Sequence, residues 1–305
     1  MRYVLGLDGG GTKTECVLLG EDGRIIVESR GGPANPNRVG FAGAAAAVRD
    51  AAAAAMRTAG VSADQVRALC AGLAGAANPD SAQKMKRLLE EEFPGIAIRI
   101  CTDLDLTLKA VGEGAAIVLI AGTGSGAVGR DAHGQMARVG GYGYLLGDEG
   151  SAHHVGQRAM NAALRHFERT GLDTPLGKRI LAETGEPSWA ELQARVNAAP
   201  DDVFPRLFPV VVQAEASGDA AARRLLEECA AALGELVKDL VERLQLQTQR
   251  FLLARTGGMI GRSRYLDERL NEHLRKVAPF GQFAELTMHP AEAAARMAVE
   301  LAVRA

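Results

Sequence analysis

The sequence predicts an α/β chain built from two similar lobes, each a sheet covered by helices. Three observations predict it. Short apolar runs of strand type alternate with segments of helical periodicity, as in a mostly parallel or mixed sheet covered on both faces. A strand, a glycine turn and a second strand occur in that order twice, first at Tyr3 and again at Ala115. Aromatic residues make up only 4% of the chain while alanine abounds, which suits helices packed on sheets better than an all-β design. With no long linker between the copies, residues 1–115 are read as one lobe and 116–305 as the other, with a helical insertion. The closing helix 290–305 is read as able to pack back on the first lobe.

In chain order, Tyr3 to Leu7 is a strand ending in Asp8-Gly9-Gly10-Gly11-Thr12, and Thr14 to Leu19 is a second strand. Glu21-Asp22-Gly23-Arg24 contains an Asp-Gly hairpin signal, and Ile25 to Ser29 is a third strand. Phe41 to Ala59 is an alanine-rich helix stopped by Gly60. Val66 to Leu73 is a strand, Ser81 to Phe93 an amphipathic helix, Ala97 to Thr102 a strand and Leu106 to Val111 a short helix.

The second opening runs Ala115 to Ala121, then Gly122-Thr123-Gly124-Ser125-Gly126 and a short strand to Val128. Asp131 to Gly134 turns the chain, and Gln135 to Val139 is a further strand. Beyond Gly150 the pattern is helical to about Gln247, with a long helix from Ala220 to Leu246. Gln249 to Ala254 is a late strand, and Pro290 to Arg304 a closing helix.

The balance of 47% hydrophobic and 24% charged residues is that of a globular protein. A formal net charge of −2 gives no reason to expect nucleic acid or an anionic membrane as partner. Cys16, Cys70, Cys101 and Cys229 are far apart in sequence with no CxxC pair, so a reducing compartment is expected. The first apolar run is too short for a signal peptide, and no stretch approaches a membrane span. A soluble, cytoplasmic protein is the expectation.

The glycine turns carry the chemistry. A phosphate needs backbone N–H groups close to its oxygens, and residues without side chains allow that approach. Gly9, Gly10 and Gly11, the Thr12 hydroxyl and the Lys13 cation are concentrated in one turn, and Asp8 is placed to hold Mg²⁺, directly or through water. Gly6 to Thr14 resembles a P-loop, but Thr12 separates Gly11 from Lys13 and a strand follows where a helix is required. Gly124, Gly126 and Gly129 fit G-x-G-x-x-G by spacing, yet a polar turn follows, not a helix. Both turns read as β-hairpin phosphate clamps. A third glycine turn, Thr256-Gly257-Gly258, follows a strand and suits a flat base or ribose.

DGGGTKT at Asp8–Thr14, AGLAGA at Ala71–Ala76, CTD at Cys101–Asp103, AGTGS at Ala121–Ser125, GGYGYLLGDEGSA at Gly140–Ala152 and TGG at Thr256–Gly258 together resemble the N-acetylglucosamine kinases of the BadF/BadG/BcrA/BcrD-type ATPase family, within the actin-like ATPase superfamily. The resemblance implies an actin-like (ribonuclease H-like) fold with two mixed five-stranded sheets around a nucleotide cleft. It implies ATP and Mg²⁺ as cofactors, an amino sugar as acceptor and a homodimer. Gly10, Gly11, Thr12, Lys13, Gly122, Thr123, Gly124 and Ser125 would bind the phosphates, Gly257 and Gly258 the adenosine. Asp103 would be the general base. A carboxylate at a strand's end can take the proton of an attacking hydroxyl. Asp105, two residues on, reads as a helix cap.

For the sugar the resemblance points to Asn35, Thr123, Gly141, Tyr142, Asp148 and Ala152. Asn35 lies between prolines and could be a turn former, with Asn37 the ligand instead. Asp148 and Glu149 could cap the helix from Ser151 to Ala163. Tyr142 stands where some relatives carry a larger aromatic, and Ala74 where relatives can carry a hydroxyl. Glucosamine and N-acetylmuramic acid remain alternative acceptors. His153 and His154, adjacent on a helix, point about 100° apart and do not suit one metal ion. Related ATPases activate dehydratases through an iron–sulfur cluster, which needs thiolates near the cleft. AGTGS has no adjacent cysteine. A non-catalytic sugar sensor is a third reading, against which stand the intact Asp103 and the expectation of no appended DNA-binding segment.

Overall fold

The computed structural model describes residues 2–304. Met1 and Ala305, the outer ends of the expected lobes and of the closing helix, lie outside them. The chain divides into two compact units, Met1–Glu113 with Leu286–Ala305, and Gly114–Glu285.

The first unit opens with β1 (Tyr3–Gly9), β2 (Thr14–Gly20) and β3 (Ile25–Gly31), an antiparallel meander. Its first turn is closed by Gly10 N–H donating to the Lys13 carbonyl at 2.9 Å. Gly23, at φ 79°, supplies the left-handed residue of the second. Helix α1 (Pro36–Ala59) begins where the Asn35 side chain accepts the Asn37 N–H, and ends at left-handed Gly60. Gly40 breaks its first turn with φ 72°, so regular helix starts at Phe41, the expected position. A 3-10 turn (Ala63–Gln65) leads to β4 (Val66–Leu73), followed by α2 (Pro79–Glu92), β5 (Ala97–Cys101) and α3 (Asp103–Val111).

Three readings need correction here. Thr102 is not a strand residue: it caps α3, which therefore starts at Asp103 and not Leu106. By length and composition α1 could span a membrane, with a mean hydropathy of 1.2 over its most apolar window. Its Ala44, Ala45, Val48, Ala51, Ala52 and Ala55 face instead lies in the core over the sheet. The cysteines, distant in sequence, include one close pair. Cys70 of β4 and Cys101 of β5 place their sulfurs 3.8 Å apart, both as free thiols.

The second unit repeats the plan with β6 (Ala116–Ala121), β7 (Ser125–Arg130) and β8 (Met136–Gly140). The helical insertion follows as α4 (Ala152–Thr170), α5 (Pro175–Thr184), α6 (Trp189–Ala198), α7 (Pro200–Val203), a 3-10 turn (Phe204–Leu207), α8 (Phe208–Ala216) and α9 (Ala220–Arg243). Helix α9 stops before Leu246, and Gln245 has a left-handed φ of 55°. Then come β9 (Phe251–Thr256), α10 (Arg264–Val277) and β10 (Gly281–Ala284). Sequence reading assigned no element to the last two. Leu266, Leu270 and Leu274, all buried at i, i+4 and i+8, were the available signal for α10.

The two sheets have the same topology. The first has the order β3-β2-β1-β4-β5 and the second β8-β7-β6-β9-β10. In each, the first three strands pair antiparallel and the last two join in parallel. Two mixed five-stranded sheets with one topology are the expected actin-like ATPase architecture. Helix α11 (Pro290–Arg304) belongs to the first unit, where Ala291, Ala294, Ala295 and Ala298 pack on Val4, Val17, Ala68 and Cys70. A Cβ on Gly6 would lie 2.0 Å from the Ala295 nitrogen, so β1 and α11 touch backbone to backbone. Lys109 of α3 donates to Glu300 at 2.7 Å on the rim.

Candidate active site

In the first unit the site is built at the carboxyl end of β1. Asp8 lies opposite Glu15 on β2 and Gly72 on β4. Its carboxyl is pushed up to about 6, first by burial and then by the negative charges of Asp103 and Glu15, against which His289 and Lys13 act weakly. Asp8 and Asp103, distant in sequence, thus belong to one electrostatic site. Asp103 is the first residue of α3, where the helix dipole favours negative charge. Asp105 does what sequence reading assigned to it: its carboxylate accepts the Thr102 N–H at 2.7 Å and the Thr102 hydroxyl at 2.8 Å.

The glycine turn stands beside Asp8. Gly9 is pressed against Leu73 and Ala34, and Gly11 against Arg38, whose guanidinium donates to the Gly11 carbonyl at 3.0 Å. Thr12 is exposed. Lys13 donates to Glu15 at 2.7 Å, so in this structure its charge is paired with a residue that sequence reading did not single out. Arg30 and His289 also approach Glu15, at 3.4 and 3.6 Å. Asn35, half-buried, caps α1, and its side-chain oxygen would lie 2.7 Å from a Cβ on Gly75, with the Asn37 amide nitrogen at 2.8 Å. Both asparagines therefore border AGLAGA, and both readings of this loop stand on one spot. The Ala74 N–H donates to the Gly9 carbonyl at 3.0 Å, which ties that segment to the glycine turn.

In the second unit the equivalent turn joins β6 to β7. Gly122 N–H donates to the Gly124 carbonyl at 2.9 Å. Ser125 is buried, its hydroxyl donating to the Glu149 carbonyl at 2.7 Å and its N–H to the Asp148 carboxylate at 3.3 Å. Asp148 is buried, holds a left-handed φ of 65°, and presses on Gly124, where a Cβ would come within 2.7 Å of its oxygen. Neither Asp148 nor Glu149 caps the next helix. Ser151 does, accepting the His154 N–H at 3.1 Å. Ala152 is buried, and its N–H is given to the Gly122 carbonyl at 2.9 Å. Gly141 N–H donates to the Ser125 carbonyl, and Tyr142, 61% exposed, lies under the Arg138 guanidinium.

The third glycine turn folds onto the second. Gly257, at φ 108°, would place a Cβ 2.2 Å from the Ala121 carbonyl oxygen, and Met259 N–H donates to that oxygen at 3.1 Å. Beside it lies a cavity of about 690 Å³ bounded by Gly122, Thr123, Gly258, Met259, Phe208 and Arg262. An apolar wall with few polar groups suits a flat heterocycle. Phe208, Met259 and Arg262 carry no motif, so sequence reading missed them.

His153 and His154 do not share an ion: His154 Nδ1 accepts the Gly150 N–H at 3.1 Å, while the His153 ring stacks on Tyr144. Among the described residues no group of three or more His, Cys, Asp or Glu is arranged to hold a metal.

A family model described as the BadF/BadG/BcrA/BcrD ATPase family matches residues 5–287. The chain is 30% identical over 281 residues, 90% of each chain, to an N-acetylmuramic acid/N-acetylglucosamine kinase of Clostridium acetobutylicum. It is 26% identical over 312 residues, 98% of each chain, to an N-acetyl-D-glucosamine kinase of Dictyostelium discoideum. A crystal structure of a candidate N-acetylglucosamine kinase from Chromobacterium violaceum superimposes with a TM-score of 0.78 at 27% identity, covering 99% of both chains.

Proposed function

The chain belongs to the BadF/BadG/BcrA/BcrD ATPase family, and from that premise we propose that it is an ATP-dependent kinase phosphorylating the 6-hydroxyl of an amino sugar, N-acetylglucosamine first among them. Glucosamine and N-acetylmuramic acid are the alternative acceptors. The observation that carries the reading is the carboxylate pair Asp8 and Asp103 beside a hairpin glycine turn. In this reading one acid serves a cation and the other an alcohol, the two roles phosphoryl transfer requires.

In this reading the glycine turns 8–13 and 122–126 are phosphate-binding turns, and the cavity at Gly258, Phe208 and Met259 takes the adenosine. The residues assigned to the acceptor sugar are Asn35, Thr123, Gly141, Tyr142, Asp148 and Ala152. The acceptor oxygen attacks the γ-phosphorus, the bond to the ADP oxygen breaks, and Asp103 takes the hydroxyl proton. Backbone N–H groups stabilise the charge that develops on the phosphoryl oxygens.

Mg²⁺ fits this chain. Burial and, after it, the negative charges of Asp103 and Glu15 hold the Asp8 proton on, and the charge part is what a divalent cation relieves. Mg²⁺ commonly uses one or two carboxylates with waters and phosphate oxygens. Held through Asp8, it would supply charge neutralisation of the phosphates. A cytoplasmic homodimer completes the proposal.

An iron–sulfur activator role is not favoured. All four cysteines are buried, and burial pushes the Cys16 and Cys229 thiols up to about 12. Cys101 is raised as well, by its Cys70 neighbour and by burial.

The test is a coupled ADP-release assay with ATP, Mg²⁺ and a panel of N-acetylglucosamine, glucosamine, N-acetylmuramic acid and glucose. ADP release should depend on an amino sugar and be fastest with N-acetylglucosamine. Indifference to every amino sugar in the panel would sink the reading.

A further inference from the structure

We propose that His153 is a positioning residue for the acceptor: its buried imidazole, held between Tyr144 and Phe204, fixes the 141–149 loop that carries Tyr142 and Asp148. The inference rests on the reading of that loop as acceptor-binding.

The loop needs an anchor. Gly140, Gly141, Gly143, Asp148 and Gly150 all hold left-handed backbone, with φ between 65° and 84°, and a segment so rich in glycine loses much conformational entropy when it is ordered. Its apolar side chains do little to offset that cost, since Leu145 and Leu146 are each 81% exposed. The ends are tied by Gly141 N–H to the Ser125 carbonyl, by Asp148 and Glu149, which both accept from Ser125, and by the Ser151 cap. Between them the ring contact is Tyr144, whose ring lies 4.3 Å from that of His153 at an interplanar angle of 20°.

His153 is built to be that anchor. It is 3% exposed. Its other side meets the edge of Phe204 at 5.0 Å and 74°, and Phe204 cannot retreat. A Cβ on Gly156, one turn along α4, would lie 2.0 Å from the Phe204 carbonyl oxygen, so helix and backbone are in direct contact. The His153 N–H donates to the Thr123 carbonyl at 3.3 Å. One residue therefore touches the 122–126 turn, the 141–149 loop and the wall at Phe204. Its Nε2 lies 3.5 Å from an Asp201 oxygen yet makes no hydrogen bond. A buried ring nitrogen left without a hydrogen bond is a cost, so hydrogen bonding does not explain an imidazole here. Stacking does.

The experiment compares wild type with His153→Ala, Tyr144→Ala, the double variant and His153→Phe. Acceptor KM should rise about three- to tenfold in each alanine variant, the factor expected of one aromatic pair, with the KM for ATP unchanged. The double variant should be no worse than the worse single one, because both remove the same contact. His153→Phe, which keeps a flat ring, should stay within about twofold of wild type. Hydrogen exchange of the 141–149 amides in the sugar-free protein should accelerate in the alanine variants and not in His153→Phe. Additive effects, unchanged exchange, or a His153→Phe that behaves like His153→Ala would overturn the proposal. If no amino sugar is phosphorylated by wild type, the function above fails while the exchange comparison still decides the role of His153. If His153→Ala does not fold, Tyr144→Ala and His153→Phe decide it.

Discussion

Asp8 is a carboxyl group that burial and two negative neighbours, Asp103 and Glu15, keep protonated to about pH 6. The folded chain therefore holds this proton more tightly than the unfolded chain, where the ordinary value is 3.8. Stability is fullest below that lower value and falls as pH rises through about 6. Asp8→Asn should remove this step and make the nucleotide-free protein more stable above pH 6, by on the order of 2 kcal/mol. Urea titrations across pH 3.5 to 7.5 measure it. An unchanged slope in the variant would show that Asp8 is not the titrating group. Asp103 is argued on different grounds, as the base and not the cation's partner. Asp103→Asn should reduce turnover by about 10²-fold or more while leaving ATP affinity nearly intact. Retention of about a tenth of the rate would remove Asp103 from the role.

Among the elements, α11 illustrates how much one glycine can decide. The helix lies on β1 with Gly6 beneath Ala291 and Ala295, and the absent Cβ is what lets the backbones meet. Gly6→Ala should cost about 3 kcal/mol or more, since backbone cannot move aside as a flexible side chain would. A thermal melt within a degree of wild type would disprove the close packing. The α4 terminus is a milder case. Ser151 accepts the His154 N–H, and Ser151→Ala should cost about 1 kcal/mol, the usual value of an N-cap. That loss is separable from catalysis, because guanidinium melts report it without substrate.

For the whole molecule, ligand linkage gives the broadest check. A nucleotide that binds only the folded chain, supplied at a hundredfold excess over its Kd, should raise stability by about 2.7 kcal/mol. Asp103→Asn should keep that gain and Asp8→Asn should lose most of it when Mg²⁺ is present. Thiol accessibility is a second global property. All four cysteines are buried, so a thiol reagent should label none of them rapidly in the native protein and all four after denaturation. Rapid native labelling would reopen the cluster-bearing alternative.

The sequence alone determined the repeated strand–glycine–strand plan, the glycine turns within it and the family, because those features are local. An apolar run, an Asp-Gly pair or a glycine cluster dictates its own backbone within a few residues. Rejecting the P-loop reading at Gly6 to Thr14 required only the strand that follows it, and β2 is that strand. Helix ends were legible where caps declare them, as at Gly60, and were misplaced at Asp103, where a capping box between Thr102 and Asp105 extended α3 backward. Helix α10 and the four-residue β10 were not read, the latter because so short a strand is specified by its neighbour β9 and not by its own pattern. Only the tertiary structure decided that Asp8 and Asp103 share one field, that Asp148 turns into Gly124, and that Tyr144 rests on His153. These are contacts between residues whose separation along the chain carries no period. Burial and Coulomb interaction depend on distance in space, which folding sets and local sequence does not encode.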